Sequence, residues 1–229
     1  MRKQSGFTLV EISIVLVIIG LLLGGVLKGQ ELINSARVKN FATDFRNIPV
    51  LVYAYQDKFR ALPGDDTGAI AHLGSAATQI PPGSTGNGVL NGNWYDDASL
   101  LATSETVAFW EHVRLANLAA GPLPIVSNAD LPRNANTGRI GIESGSSTNA
   151  YISGMSGSFV VCSANILGQF AKQLDVMMDD GNPYTGSLRA VPGSPTTRNN
   201  IPHCAVVGTP SACSQAVDDG GNYTVCMSF

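Results

Sequence analysis

The stretch that decides the fold is residues 1–30, MRKQSGFTLVEISIVLVIIGLLLGGVLKGQ. An apolar run from Phe7 to Leu27 follows the basic residues Arg2 and Lys3. At about 1.5 Å per residue in a helix, this run spans roughly 30 Å, the thickness of a membrane's hydrocarbon core. Basic residues ahead of such a run keep that end in the cytoplasm, so we expect the rest of the chain to be exported.

Gly6 is a small residue that stands before the apolar run. A secretory signal would instead have small residues in a cleavage site after its apolar stretch, and the segment 24–29, GGVLKG, is a poor site of that kind. Cleavage after Gly6 would remove a basic leader, residues 1–6, and leave the apolar helix on the mature chain.

One acidic residue, Glu11, interrupts the membrane-length segment. An ionised carboxylate is costly in lipid, so such a residue marks a functional site with a partner. The nearest candidate is the α-amine that cleavage would create at Phe7. That amine would lie about one helical turn away in the same chain, and an amine of a neighbouring parallel helix could reach Glu11 equally well.

Residues 5–11, SGFTLVE, resemble the cleavage and methylation motif of type IV pilins and type II secretion pseudopilins. The resemblance implies that an inner-membrane prepilin peptidase cuts after Gly6 and methylates the new N-terminal Phe7. It also implies that Glu11 guides the docking of an incoming subunit onto its neighbour in a filament. The implied partners are therefore the prepilin peptidase, other pilin or pseudopilin subunits and the inner membrane.

The apolar helix should continue in water beyond Lys28 and end at the sequence Leu62-Pro63-Gly64. Apolar residues at spacings of three and four predict one stripe that packs on a sheet of the same subunit, with a coiled-coil seam as the alternative. The stripe consists of Phe41, Phe45, Ile48, Val52, Tyr55 and Phe59. Pro49 should interrupt this helix and bend it.

The domain plan is a leader at 1–6, a long helix at 7–62 that is transmembrane over 7–27, and a head at 63–229. The sequence and its resemblance predict an α+β fold of the pilin type. In this fold the long helix packs on an antiparallel sheet, with additional short helices and long loops. Predicted helices cover 104–118 and 164–178, and Ser104 is the expected N-cap. Predicted strands cover 139–143, 151–153, 158–162 and 223–229.

The cysteines are expected to form two disulfides, because the head should reach an oxidising compartment and no C-x-x-C pair indicates zinc. The four are Cys162, Cys204, Cys213 and Cys226. Val160 shares a predicted strand face with Cys162, and Thr224 shares one with Cys226, which favours Cys162–Cys226 and leaves Cys204–Cys213. Four free thiols are the alternative.

Composition and motifs weigh against catalysis and nucleic-acid binding. The net charge is −3 and only 14% of residues are charged, so no basic surface is expected to hold a phosphate backbone. No nucleophile elbow or phosphate-binding loop is present. No metal or other cofactor is expected, although Asp179, Asp180 and Asn182 are calcium candidates; turn and helix-stop roles also explain them.

The sequence therefore predicts a filament subunit that acts by assembly and not as an enzyme. A pilin or minor pilin of a type IV pilus (fimbrium) is favoured over a type II secretion pseudopilin, because the head is large for a compact major pseudopilin. The alternative of another class is a membrane-anchored periplasmic enzyme or binding protein. The subunit should cross the inner membrane once, with a cytoplasmic N-terminus, and later stand in a periplasmic or extracellular filament.

Overall fold

The fold combines one long helix with a four-stranded antiparallel sheet and three short helices. The computed structural model describes residues 8–81, 85–145, 151–152, 154–155, 157–193 and 217–229. The candidate residues Gly6, Phe7, Cys204 and Cys213 lie outside the described residues. The predicted α+β architecture is confirmed.

The long helix, α1, runs without a break over Leu9–Phe59. Its apolar stripe is confirmed: the buried positions are Val38, Phe41, Ala42, Phe45, Ile48, Val52 and Tyr55, and Phe59 is half-buried. Burial of each large side chain in this stripe contributes about 1.5–3 kcal/mol.

Two features of α1 differ from the expectations, while the bend at Pro49 stays a prediction. Pro49 lies inside the helix and does not interrupt it. Proline removes one backbone hydrogen bond, and the buried neighbours Ile48 and Val52 hold the helix against the head on both sides of it. The helix also ends before Leu62, because Arg60 takes the left-handed conformation (φ 55°) and donates its N–H to the carbonyl of Gln56 at 2.9 Å.

The sheet has the order β1-β2-β4-β3, and every neighbouring pair is antiparallel. The strands are β1 (Ile140–Ser144), β2 (Phe159–Leu167), β3 (Leu188–Pro192) and β4 (Asn222–Ser228). Cys162 and Cys226 are directly opposite each other on β2 and β4. The register of this pair shifts between Ser163 and Ile166, next to Asn165 with its positive φ of 57°.

The short helices are α2 (Ala69–Leu73), α3 (Glu105–Leu115) and α4 (Gly168–Met178), with a 3₁₀ turn at Ala98–Leu100. Every residue of α3 from Glu105 to Arg114 is buried, so this helix runs through the head and does not merely present one apolar face to it. Ser104 is the N-cap residue, as expected, but its side chain donates to Asp96 (2.7 Å) and makes no capping hydrogen bond.

Several strand and helix assignments differ from the prediction. The helix predicted over 104–118 ends at Leu115. Residues 164–167 belong to β2 and not to the following helix, because Ile166 and Leu167 pair with β4. Tyr151 and Ile152 are buried but lie in none of the four strands. The strand β3 was not predicted; it pairs with β4 over its whole length.

Candidate functional site

The N-terminus of α1 is closed by a reciprocal pair of contacts between Thr8 and Glu11. The backbone N–H of Thr8 donates to Glu11 Oε2 at 2.8 Å, and the backbone N–H of Glu11 donates to Thr8 Oγ1 at 3.3 Å. The Thr8 hydroxyl also donates to Glu11 Oε2 at 2.7 Å. This is a capping box, in which two helix N–H groups without intrahelical partners are satisfied.

Thr8 is a site residue that the sequence analysis missed. The signal was present as Thr8-Leu9-Val10-Glu11, the T-x-x-E spacing that precedes an apolar run. Its consequence is that Glu11 Oε2 accepts two hydrogen bonds from Thr8 within one subunit. The expected partner of Glu11, the amine of Phe7, lies outside the described residues.

The first half of α1 presents a continuous uncovered apolar surface. Its side chains are exposed from Leu9, at 90%, through Leu21, at 72%, to Leu27, at 66%. By length and composition, α1 is able to cross a membrane. Such a surface requires lipid or the helices of other subunits to cover it. The Lys28–Glu31 ion pair, at 2.7 Å on the helix surface, marks the return of charge after the apolar run.

The predicted disulfide between Cys162 and Cys226 is confirmed, and it links the two central strands β2 and β4. Both cysteines are fully buried and belong to a small cluster with Trp94 and Tyr151. The disulfide closes a loop of 64 residues, so it removes conformational entropy from the unfolded chain. The pairing of Cys204 with Cys213 stays a prediction.

Two of the acidic turns in the head accept hydrogen bonds that hold loops in place. Asp65 accepts the backbone N–H groups of Gly86 and Gly88, the latter at 2.7 Å. Asp96 accepts the backbone N–H of Asn93 at 3.0 Å. These contacts are typical of aspartates that stabilise turns.

Asp66 connects α1 with α2 through a buried carboxylate. Its Oδ2 accepts the Tyr55 hydroxyl at 2.7 Å and lies 2.7 Å from His72 Nδ1, while Oδ1 accepts the N–H of Gly68 at 2.8 Å. Burial raises the pKa of Asp66, but the hydrogen bonds from His72, Tyr55 and Gly68 outweigh it and hold the pKa below its usual value. The ionised carboxylate therefore anchors the C-terminal part of α1.

The calcium candidates Asp179 and Asp180 follow directly after α4, and the structure brings a third acid, Asp175, to the same place. Asn182 contacts this cluster through its backbone, because its N–H donates to Asp180 Oδ1 at 2.8 Å. Its side-chain oxygen accepts the N–H of Tyr184 at 3.2 Å, which is a turn contact.

Comparison with known proteins supports the interpretation of the N-terminus. Residues 1–27 match a family model described as the prokaryotic N-terminal methylation motif. Comparisons with curated proteins and with solved structures return no significant match. The matched segment contains the capping box and most of the exposed apolar run, so the sequence motif and the uncovered helix surface coincide. The chain therefore carries the N-terminal signature of type IV pilin and pseudopilin precursors on a pilin-like α+β fold.

Proposed function

We propose that this chain is a structural subunit of a type IV pilus-like filament and assembles through α1. The observation that carries the proposal is the division of this single helix into two halves. One face of the second half is buried against the head, whereas the first half is apolar, exposed and headed by the methylation motif. Bundling of such halves from many subunits would cover the apolar surface once the subunits leave the lipid.

Processing is the first step of the proposal. Prepilin peptidase removes residues 1–6 by cutting after Gly6 and methylates the α-amine of Phe7. The precursor crosses the inner membrane once with a cytoplasmic N-terminus, and the filament stands in the periplasm or outside the cell. Intact-mass measurement of the membrane-extracted chain tests this step: the expected species begins at Phe7 and carries one methyl group, and an intact leader would contradict it.

Docking through Glu11 is the second step. In the isolated subunit the Glu11 carboxylate is bound to Thr8 of its own helix. In the filament this end of the helix loses water, and the attraction between Glu11 and the Phe7 amine of a neighbour strengthens as the local dielectric constant falls. The pair must also offset its own desolvation, so it sets the register of docking more than it adds binding energy.

The capping box makes a sharp test of docking possible. Glu11→Gln removes the charge but keeps an acceptor for the N–H of Thr8, whereas Glu11→Ala removes both. We expect both variants to be cleaved and folded but to be depleted at least several-fold from sheared filaments, relative to wild type at matched membrane levels. Normal incorporation of Glu11→Gln together with loss of Glu11→Ala would show that Glu11 only caps the helix and would contradict the docking role.

Within the filament class, we favour a pilin or minor pilin over a type II secretion pseudopilin because of the large head. Both share the N-terminal chemistry, so the choice depends on which filament contains the subunit. Immunodetection in surface pili, compared with secretion of a type II substrate in a deletion strain, separates them. A membrane-anchored enzyme or binding protein would leave both filament formation and secretion unchanged on deletion.

A further inference from the structure

Three aspartates meet where α4 ends and the chain turns toward β3. Asp175 lies in the last turn of α4, Asp179 is the residue that ends the helix, and Asp180 follows it. One carboxylate oxygen of each lies within 4.8 Å of those of the other two. Asp175 is buried, Asp179 is half-buried and Asp180 is exposed, so the cluster opens to solvent on one side.

Asp175 is the unusual member of this cluster. Its side chain has no exposed surface, and neither carboxylate oxygen accepts a hydrogen bond of ordinary geometry from the described residues. A buried charge without a partner is strongly unfavourable. Burial, with the charges of Asp180 and Asp179, raises the pKa of Asp175 to about 6. The backbone N–H of Gly181 faces this carboxylate, but not with the geometry of a hydrogen bond.

The positive charge of Arg189 lies near the cluster and attracts Asp179 and Asp180, but at a distance longer than an ion pair. The last turn of α4 has no basic residue, although the C-terminal end of a helix favours cations and disfavours acids. Within the described part of the chain, no Lys or Arg forms an ion pair with any of the three aspartates. The nearby Arg189 donates instead to the carbonyls of Gly186 (3.0 Å) and Gly154 (3.1 Å).

The two outer carboxylates are held in fixed orientations by the loop. Asp179 accepts the N–H of Leu188 at 2.7 Å and the hydroxyl of Ser187 at 3.2 Å. Asp180 accepts the hydroxyl of Thr185 at 2.6 Å. These contacts leave further lone pairs on each oxygen, and orienting contacts of this kind support the ligands of metal sites.

We infer that Asp175, Asp179 and Asp180 bind a calcium ion that joins the end of α4 to the start of β3. The ligands are hard carboxylate oxygens without histidine or cysteine, which suits calcium and not zinc. Calcium also accepts irregular geometry with water in the remaining positions, whereas magnesium requires a near-ideal octahedron. The ion would give the buried Asp175 carboxylate the partner that the described residues do not provide.

A bound ion at this position would stabilise the packing of the head on α1. Phe170 of α4 packs against Phe41 of α1, with ring centroids 6.2 Å apart. Fixing the C-terminal end of α4 to the sheet would therefore reduce the freedom of the helix that contacts α1. This inference does not depend on filament assembly, and a failure of either proposal leaves the other intact.

The test is calcium titration of the full-length chain in detergent micelles, starting from an EGTA-treated sample. Thermal unfolding is followed by the fluorescence of the two buried tryptophans, Trp94 and Trp110. For an affinity typical of extracellular calcium sites, about 10 mM calcium should raise Tm by about 3–8 °C. The same concentration of magnesium should give less than about a third of that shift.

Variants of the aspartates test whether the calcium-dependent change in Tm arises at this cluster. Asp180→Asn changes an exposed ligand and should abolish the shift while the calcium-free chain stays folded; Asp175→Asn should also abolish it. Asp219→Asn is the matched control, because Asp219 is an exposed acid paired with Lys172, and it should keep the full shift. An unchanged Tm of the wild-type chain in calcium, or a shift retained in Asp180→Asn, would overturn the inference.

Discussion

Glu105 is expected to make the stability of the head depend on pH. It is the first residue of α3 and is fully buried. Its Oε2 accepts the backbone and side-chain N–H groups of Asn91, at 2.7 and 3.1 Å, while its Oε1 has no hydrogen-bond partner among the described residues. Burial is the main cause that raises the pKa of Glu105 to about 7, and the neighbouring charge of Asp65 adds to it.

The direction of the change in stability with pH follows from the difference in proton binding between the folded and unfolded chains. The folded chain holds the proton of Glu105 more tightly than the unfolded chain, whose pKa is 4.5. This contribution to stability is therefore complete below pH 4.5, decreases as the pH rises and is lost above about pH 7. The difference between the two pKa values corresponds to about 3 kcal/mol of unfolding free energy.

Glu105→Gln isolates this effect from other titrating groups, such as Asp44, whose pKa burial raises to about 6. The unfolding free energy of the variant minus that of wild type should increase by about 3 kcal/mol between pH 4.5 and 8. Urea unfolding in micelles, followed by tryptophan fluorescence, measures it. Glu31→Gln, at an exposed position, is the control. A Glu105→Gln difference that stays constant with pH would refute the reasoning.

Two further predictions concern the stability of the sheet. Replacing both Cys162 and Cys226 by alanine should lower the unfolding free energy by up to about 4 kcal/mol, given the 64-residue loop; a loss below about 1 kcal/mol in urea unfolding would contradict it. Gly141→Ala should destabilise the head by more than about 2 kcal/mol, because a Cβ there would collide with the backbone carbonyl of Trp94. Gly220→Ala, where a Cβ meets nothing within 4 Å, is its control, and equal stability of the two variants would be the contrary result.

The sequence was most informative where structure depends on local pattern. The stripe from Phe41 to Tyr55 is set by helical periodicity, and the apolar run by length and composition, so both could be predicted. The end of α1 was less predictable. A left-handed Arg60 stops the helix, and arginine carries no preference for that conformation that would reveal it.

Strand pairing was the least predictable part of the head. Ile166 fits the apolar period of the following helix with Phe170 and Leu174, yet it lies in β2 opposite Tyr223. A short apolar segment suits a strand or a helix equally, and contact with a distant segment decides between them. The same dependence on β4 explains why β3 was missed, since Ala190 is placed by its pairing with Val225.

The candidate sites also divide into residues that the sequence revealed and residues that it did not. Glu11 and the adjacent pair Asp179 and Asp180 were visible as isolated anomalies in the sequence. Thr8 and Asp175 were not selected, although both stand at helical spacings from them: Thr8 is three residues before Glu11, and Asp175 is four before Asp179. Spacings of three and four bring side chains together on a helix, so an isolated polar residue often has its partner one turn away.

The proposed docking site and the contact that anchors α1 to the head are separated along one helix, and this determines how variants should be interpreted. Thr8 and Glu11 stand at the start of α1, while Tyr55 anchors its other end to the head through Asp66. At about 1.5 Å per residue, the 51 residues of α1 extend roughly 75 Å.

Changes at Glu105, at the disulfide or at the aspartate cluster should therefore alter the stability of the head without affecting the proposed docking at Glu11. Changes at Glu11 should alter docking while the unfolding of the head stays the same. A variant that changes both would reveal that the two halves of α1 are energetically coupled.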